Sequence, residues 1–213
     1  MGKFQHYPTF AYEKDIANMH QPGAIICGVD EVGRGAWAGP VIVAAVILRS
    51  YDIPEGLRDS KALSVKARIR IAAEIYSKAD VAFGASSRFE IDKLNILQAT
   101  CLAMRRAVHA LKRYPDHIMI DGNYTVDFGG AAVTTIVEGD KKSASIAAAS
   151  VVAKVLRDRL MQKLAVVYPW YQWEKNAGYG VKAHRDAIYN KGITSHHRRS
   201  FKPIRNYIND KVV

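Results

Sequence analysis

Four acidic residues stand where short apolar runs give out: Asp30 and Glu31 after 24–29, Asp121 after 117–120, and Asp140 shortly after 132–137. The carboxyl ends of strands are where an open sheet with a parallel core gathers its functional groups. Asp30 and Asp121 lie 121 − 30 = 91 residues apart, yet on neighbouring strands, about 4.8 Å apart, they share one site. Clustered carboxylates repel. Either a hard divalent cation, Mg²⁺ or Mn²⁺, neutralises them, or one acid keeps its proton and its pKa rises. Two such ions beside a phosphate form an arrangement for phosphodiester cleavage, in which one activates the attacking water and the other stabilises the leaving oxygen. A lone strand-end Asp is more simply a turn residue. Four of them on a chain with 31 Lys and Arg against 20 Asp and Glu, net charge +11, favour a site that faces a polyanion. Consecutive strand residues face opposite sides, so Asp30 and Glu31 meet one ion only if the strand ends or bends at Glu31. Gly33 and Gly35 supply backbone freedom just there.

Gly33-Arg34-Gly35 is the second constellation. Glycines on both sides of Arg34 leave backbone groups unshielded, with a guanidinium at hand for a phosphate. A bare Gly-Arg-Gly is usually a plain turn. Two residues after an Asp-Glu pair, it becomes a loop whose backbone can approach a sugar and test for the 2′-hydroxyl that separates RNA from DNA. His196 and His197 lack a second pair of ligands and read as structural or phosphate-facing rather than as a metal site. Trp170, Tyr171 and Trp173 read as core or domain-interface residues, and Cys27 and Cys101 as core thiols.

The elements that must position these groups follow from the pattern of apolar residues. Strands are expected over 24–31, 41–48, 81–87, 117–121 and 132–138, and helices over 64–78, 90–112 and 143–167, with Ser64 capping the first. This predicts an α/β fold, a mixed sheet with helices on both faces and a mostly helical C-terminal part. Residues 1–23 read as a lead-in closed by Gln-Pro-Gly, 24–168 as the catalytic domain, and 169–213 as a basic substrate-binding part, whose last stretch 181–213 carries eight Lys and Arg against two Asp. No run of about 18 apolar residues is present, which argues against a membrane span. Two cysteines cannot build a disulfide framework and fit a reducing, cytoplasmic compartment.

Taken together, these motifs resemble the ribonuclease HII family (type 2 ribonuclease H). The matching pieces run in order from Gly28-Val-Asp-Glu-Val-Gly-Arg-Gly35 with Gly39-Pro40, through Asp59-Ser60-Lys61, Glu90 to Leu97, Ile120 to Asn123, Gly139-Asp140 and Ile146 to Ser150, to Gly178-Tyr179 and His196 to Phe201. The resemblance implies a ribonuclease H-like sheet and a divalent-metal endonuclease acting on the RNA strand of RNA–DNA hybrids. It also implies cutting 5′ to single ribonucleotides embedded in duplex DNA, leaving 3′-hydroxyl and 5′-phosphate ends. On it, Asp30, Glu31, Asp121 and Asp140 match the catalytic metal-binding acids, Gly33, Arg34 and Gly35 the loop that reads the 2′-hydroxyl, and Tyr179 a tyrosine stacking at the junction. Lys61 suits phosphate contact, and Arg198 and Arg199 a backbone-binding patch. A partner subunit is not required, so a monomer is expected.

Two features depart from the family. Gly180-Val181 replaces the usual Pro-Thr after Gly-Tyr, which predicts a freer Tyr179 loop. Lys141-Lys142 follows Asp140, either to contact phosphate or to lower the pKa of that acid. A junction resolvase on the same sheet and a non-catalytic nucleic-acid-binding protein are the competing readings; Gly33-Arg34-Gly35 argues against the first and the intact acids against the second.

Overall fold

A computed structural model describes residues 7–48 and 53–211. Its centre is a five-stranded sheet made of β1 (Ile26–Val32), β2 (Val41–Leu48), β3 (Ala79–Ser86), β4 (His117–Asp121) and β5 (Ala132–Ile136), in the order β3-β2-β1-β4-β5. β1 pairs parallel with β4, and β4 with β5, whereas β2 and β3 join antiparallel. β1, β4 and β5 therefore end at one edge, and that edge carries the acids.

β2 is buried along its whole length, because both faces of the sheet are covered. On one face Val41, Val43, Ala45 and Ile47 pack with Ala103, Met104 and Ala107 of α4 (Ile96–His109). On the other, Ala44 and Val46 pack with Ile71 and Ile75 of α2 (Val65–Lys78) and with Ala148 and Val152 of α5 (Ala144–Val167). A strand buried on both sides reads as a continuous apolar run. α5 lies against β1 so closely that a Cβ on Gly28 would come within 2.3 Å of the Ser145 carbonyl carbon.

The expected helix over 90–112 is two helices, α3 (Arg88–Leu94) and α4, separated at Asn95 with φ +69°. The Asn95 side chain accepts from the N–H groups of Leu97 and Gln98, so it ends one helix and caps the next. The N-terminal stretch is more than a lead-in, since it forms α1 (Ala11–Ala17).

Beyond α5, a short 3₁₀ turn (Pro169–Tyr171), α6 (Trp173–Asn176), α7 (Lys182–Lys191) and α8 (Lys202–Asp210) make the helical C-terminal part. Tyr171 and Trp173 stack at 4.9 Å and, with Ile188 and Ile204, pack on Met161 of α5. Trp170, expected in a core or a domain interface, is 43% exposed, whereas Tyr171 and Trp173 are buried. Cys27 and Cys101 are buried free thiols. No helix among the described residues is long and apolar enough to cross a membrane.

Candidate active site

The parallel ladder sets the acids side by side. Val29 pairs with Ile120, so Asp30 and Asp121 follow on adjacent strands, about 4.8 Å apart. β1 does not stop at Glu31 as expected: its pairing with β2 continues to Val32–Ile42. Even so, Asp30, Glu31 and Asp121 line one cleft of about 380 Å³ together with Ser60, Lys61, Ser150, Lys154 and Tyr179. Asp140 sits beside them in a 3₁₀ turn (Gly139–Lys141), only 7% exposed.

The carboxylates feel one another. Burial and then the charges of Glu31 and Asp121 push the Asp30 carboxyl well above the usual range, against a hydrogen bond from Ser150. Burial and then the charges of Asp121 and Asp59 raise Asp140 to about 6, opposed by Lys61 and Lys141. Burial raises Glu31 also, although the Arg34 guanidinium holds it down from 3.1 Å. Tyr124, which the sequence reading passed over, brings its hydroxyl to 3.5 Å from the other Glu31 oxygen and packs its ring under Arg34.

Among the described residues, no three acid, histidine or cysteine side chains form a ready-made cage for an ion. Two of the acids are engaged by backbone donors: an Asp30 oxygen accepts the Glu31 N–H, and an Asp121 oxygen accepts the Gly139 N–H, both at 2.7 Å. The donor set nevertheless suits a hard cation, since every candidate ligand is an oxygen. The uncompensated repulsion on Asp30 and Asp140 is what a divalent ion would relieve.

The Gly33-Arg34-Gly35 loop lies beside two cleft residues, Glu31, which Arg34 pairs with, and Tyr179, whose ring faces Gly35. Gly33 has φ +92°, and a Cβ there would fall 2.2 Å from Nε of Arg157. Gly35 is different: among the described residues a Cβ would meet only the Tyr179 ring, at 3.7 Å, so no described neighbour demands glycine there. Arg198 is not part of an exposed backbone-binding patch. It is fully buried beneath the loop, where its guanidinium donates to the carbonyls of Gly33, Arg34 and Gly39. Burial, then the neighbouring Arg157, depresses its pKa to about 9. Arg157, also fully buried, donates to the carbonyls of Ala38, Pro40 and Ala177. Arg199 is exposed and Lys61 lies on the cleft wall, both free to meet a phosphate. Lys141 pairs with Glu138, and Lys142 donates to the Val137 carbonyl.

The Tyr179 loop is not freed by Gly180. A Cβ on Gly180 would overlap the Trp37 ring at 2.1 Å, so the glycine is a packing requirement. The Trp37 N–H donates to the Gly178 carbonyl at 2.8 Å. Two buried histidines complete the anchor. His197 Nδ1 accepts the Thr194 N–H, which leaves the His197 proton on Nε2, facing His184 Nε2 at 3.1 Å. His184 then carries its proton on Nδ1 and donates to the Tyr179 carbonyl at 3.0 Å. Both rings are neutral in this chain of donors, and His197 is structural, as its lack of partner ligands suggests. Burial, then His184 and His196, pushes its pKa down to about 3.

Of the site residues, Ser150, Lys154, Tyr124, Arg157 and His184 were not singled out from sequence. Ser150 closes a motif that already pointed here. A basic residue within a long helix, such as Arg157, gives no signal that it is buried.

Known proteins share this sequence and this fold. The family model described as ribonuclease HII matches residues 27–204. The ribonuclease HII of Jannaschia sp. is 50% identical over 197 residues, covering 92% of this chain and 96% of that one. Among solved structures, the ribonuclease H2 of Pyrococcus horikoshii superposes with a TM-score of 0.73 at 23% identity, covering 87% of this chain and 98% of that one. The Bst ribonuclease HIII in complex with Mn²⁺ superposes with a TM-score of 0.70 at 21% identity, covering 94% of this chain and 81% of that one.

Proposed function

Because the chain belongs to the ribonuclease HII family and is a ribonuclease H-type endonuclease, we propose that it cuts the RNA strand of RNA–DNA hybrids and the bond 5′ to a single ribonucleotide within duplex DNA, leaving 3′-hydroxyl and 5′-phosphate ends. The observation that carries this is the cleft shared by Asp30, Glu31, Asp121 and Tyr179, with the glycine-flanked loop against the Tyr179 ring at Gly35.

Asp30, Glu31, Asp121 and Asp140 would hold divalent ions, Mn²⁺ or Mg²⁺. Such ions lower the pKa of an attacking water and neutralise charge on the leaving oxygen. The remaining work falls to the chain. The buried Arg198 draws the Gly33 and Arg34 carbonyls inward. Peptide planarity turns the next N–H groups, those of Arg34 and Gly35, the other way. A sugar oxygen brought against the loop meets those donors, and the open space at Gly35 admits it. Tyr179, 38% exposed, offers a ring face for stacking at the junction. Lys61 and Lys154 line the cleft where the scissile strand's phosphates would pass. Residues 169–213 extend this basic surface along the duplex, while α5, which enters both parts, ties them to the catalytic portion 24–168. The chain acts as a monomer, and two free thiols suit a reducing, cytoplasmic setting.

The test is a duplex with one embedded ribonucleotide and mapped product ends. Cleavage 5′ to that nucleotide is expected, dependent on Mn²⁺ or Mg²⁺, and Asp121→Asn should abolish it while binding persists. Cutting of branched DNA in its place, or full activity in Asp121→Asn, would overturn the assignment.

A further inference from the structure

We propose that Glu13, fourteen residues before the stretch matched by the family model, is a positioning residue for Asp140. This rests on the reading of Asp140 as a ligand of the divalent ions.

Glu13 lies on α1 and is 1% exposed. Its Oε1 accepts two hydrogen bonds, from the Ser143 hydroxyl at 2.7 Å and the Ser145 N–H at 2.8 Å. Thr9 grips the same segment from the backbone. Its N–H donates to the Lys142 carbonyl at 3.1 Å, and its carbonyl accepts the Ala144 N–H at 2.9 Å. Residues 142–145 are thus held, one after another, by Thr9 and Glu13.

What they hold is the hinge between Asp140 and α5. The turn that carries Asp140 closes with the Ser143 N–H on the Gly139 carbonyl at 2.8 Å. It is entered through Glu138 at φ +55°, a left-handed conformation that a non-glycine residue adopts at a cost of about 1 kcal/mol. Such a turn keeps its shape only when its surroundings impose it. Ser143 is also the N-cap of α5, accepting the Ile146 N–H at 3.2 Å. Its hydroxyl hydrogen is committed to Glu13, so the carboxylate orients the cap as well as binding it.

The choice of a carboxylate is informative. Glu13 Oε2 is buried with no hydrogen-bond partner among the described residues, and a buried unsatisfied oxygen is unfavourable. A neutral amide in its place would keep the acceptor but bury an NH₂ group with no partner at the Oε2 position. A charge-assisted bond to a helix N-terminus is shorter and stiffer. Stiffness is what a ligand-bearing turn three residues upstream needs.

The experiment uses the full chain with Glu13→Ala and Glu13→Gln. Mn²⁺ binding is followed calorimetrically without substrate, and cleavage of the one-ribonucleotide duplex gives kcat and KM. For Glu13→Ala we expect Mn²⁺ affinity to fall about tenfold, the range for loss of a group that orients a metal ligand. Its kcat should fall likewise, with KM within about twofold. Glu13→Gln, which keeps an acceptor of equal reach but no charge, should lose about threefold on the same scale. A lowered melting temperature with unchanged Mn²⁺ affinity and kcat in both variants makes Glu13 a helix cap and overturns the proposal, as does a change confined to KM. If Glu13→Ala does not fold, Glu13→Gln decides by the same criteria. Failure of the unsubstituted chain to bind Mn²⁺ sinks the reading of the site itself, whereas normal binding with indifferent variants sinks only the role of Glu13.

Discussion

Replacing Asp140 by Asn should make the ion-free protein more stable while disabling it. The Asp140 carboxyl titrates near 6 in the folded chain against 3.8 ordinarily, because it is buried and faces Asp121 and Asp59. A carboxyl raised in the native state binds its proton more tightly there. Stability is therefore greatest below 3.8 and is lost as pH rises through about 6. At about 1.4 kcal/mol per unit, the penalty at neutral pH is on the order of 3 kcal/mol at most, and about 1–3 once solvent screening at the cleft mouth is allowed for. Asn matches the shape without the charge and recovers that amount. In a chain of this size it corresponds to a rise in melting temperature of about 3–10 °C. The assay is thermal unfolding in a chelating buffer at pH 7.5 and again near pH 4.5. At the lower pH the unsubstituted carboxyl is already protonated when folded, so the advantage should shrink to about a third. Saturating Mn²⁺ should reverse the ranking, because it stabilises only the chain with its acids intact. An Asn variant no more stable than the parent at pH 7.5, or equally advantaged at both pH values, would refute the idea that Asp140 is held under electrostatic stress.

Gly180→Ala should force the Trp37 ring aside from its 2.1 Å overlap, destabilising the chain by about 1–3 kcal/mol and raising KM for the ribonucleotide duplex. Trp37→Leu should relieve much of this, and a double-mutant cycle with coupling below about 0.5 kcal/mol would deny the contact. His197 is held neutral, with its pKa near 3, so the native state resists a proton that the unfolded state takes. Its contribution is present above about 6.5 and drains away as pH falls toward 3. The stability gap between the parent and His197→Asn, measured by denaturant titration, should accordingly narrow on acidification. Gly28→Ala would drive a Cβ to 2.3 Å from the α5 backbone at Ser145. It should lower stability by about 3 kcal/mol in urea unfolding, since a backbone cannot rotate away as a side chain can.

The parts of this fold that were legible in sequence are those where one physical signal dominates. Val41–Leu48 is apolar throughout because both faces of β2 are covered, and Asp30 and Asp121 fall side by side because β1 and β4 run parallel. The hidden parts are those where two signals compete. Asn95 lies within an unbroken helical period, and only its left-handed backbone, φ +69°, divides α3 from α4. Arg157 and Arg198 carry a charge that ordinarily seeks water, so composition assigns them to the surface. Five carbonyls between Gly33 and Pro40 recruit them inward. Gly180 carries only the statement that its backbone is free, and the ring that occupies its missing side chain lies 143 residues away at Trp37.

The buried arginines also bear on how opposite charges are arranged around the cleft. A chain of net charge +11 attracts polyanions, yet its cleft is walled by Asp30, Glu31 and Asp121, which repel phosphate. The two tendencies meet at Arg34. Its guanidinium lies 3.1 Å from Glu31 over the ring of Tyr124, while its carbonyl is fixed from below by Arg198. The backbone of the loop is therefore set independently of where the Arg34 side chain goes. Only one nitrogen of that guanidinium meets Glu31, so the other N–H groups of the fork are available to a phosphate at the same time, while Arg157 and Arg198 have already taken up the carbonyls beneath the loop.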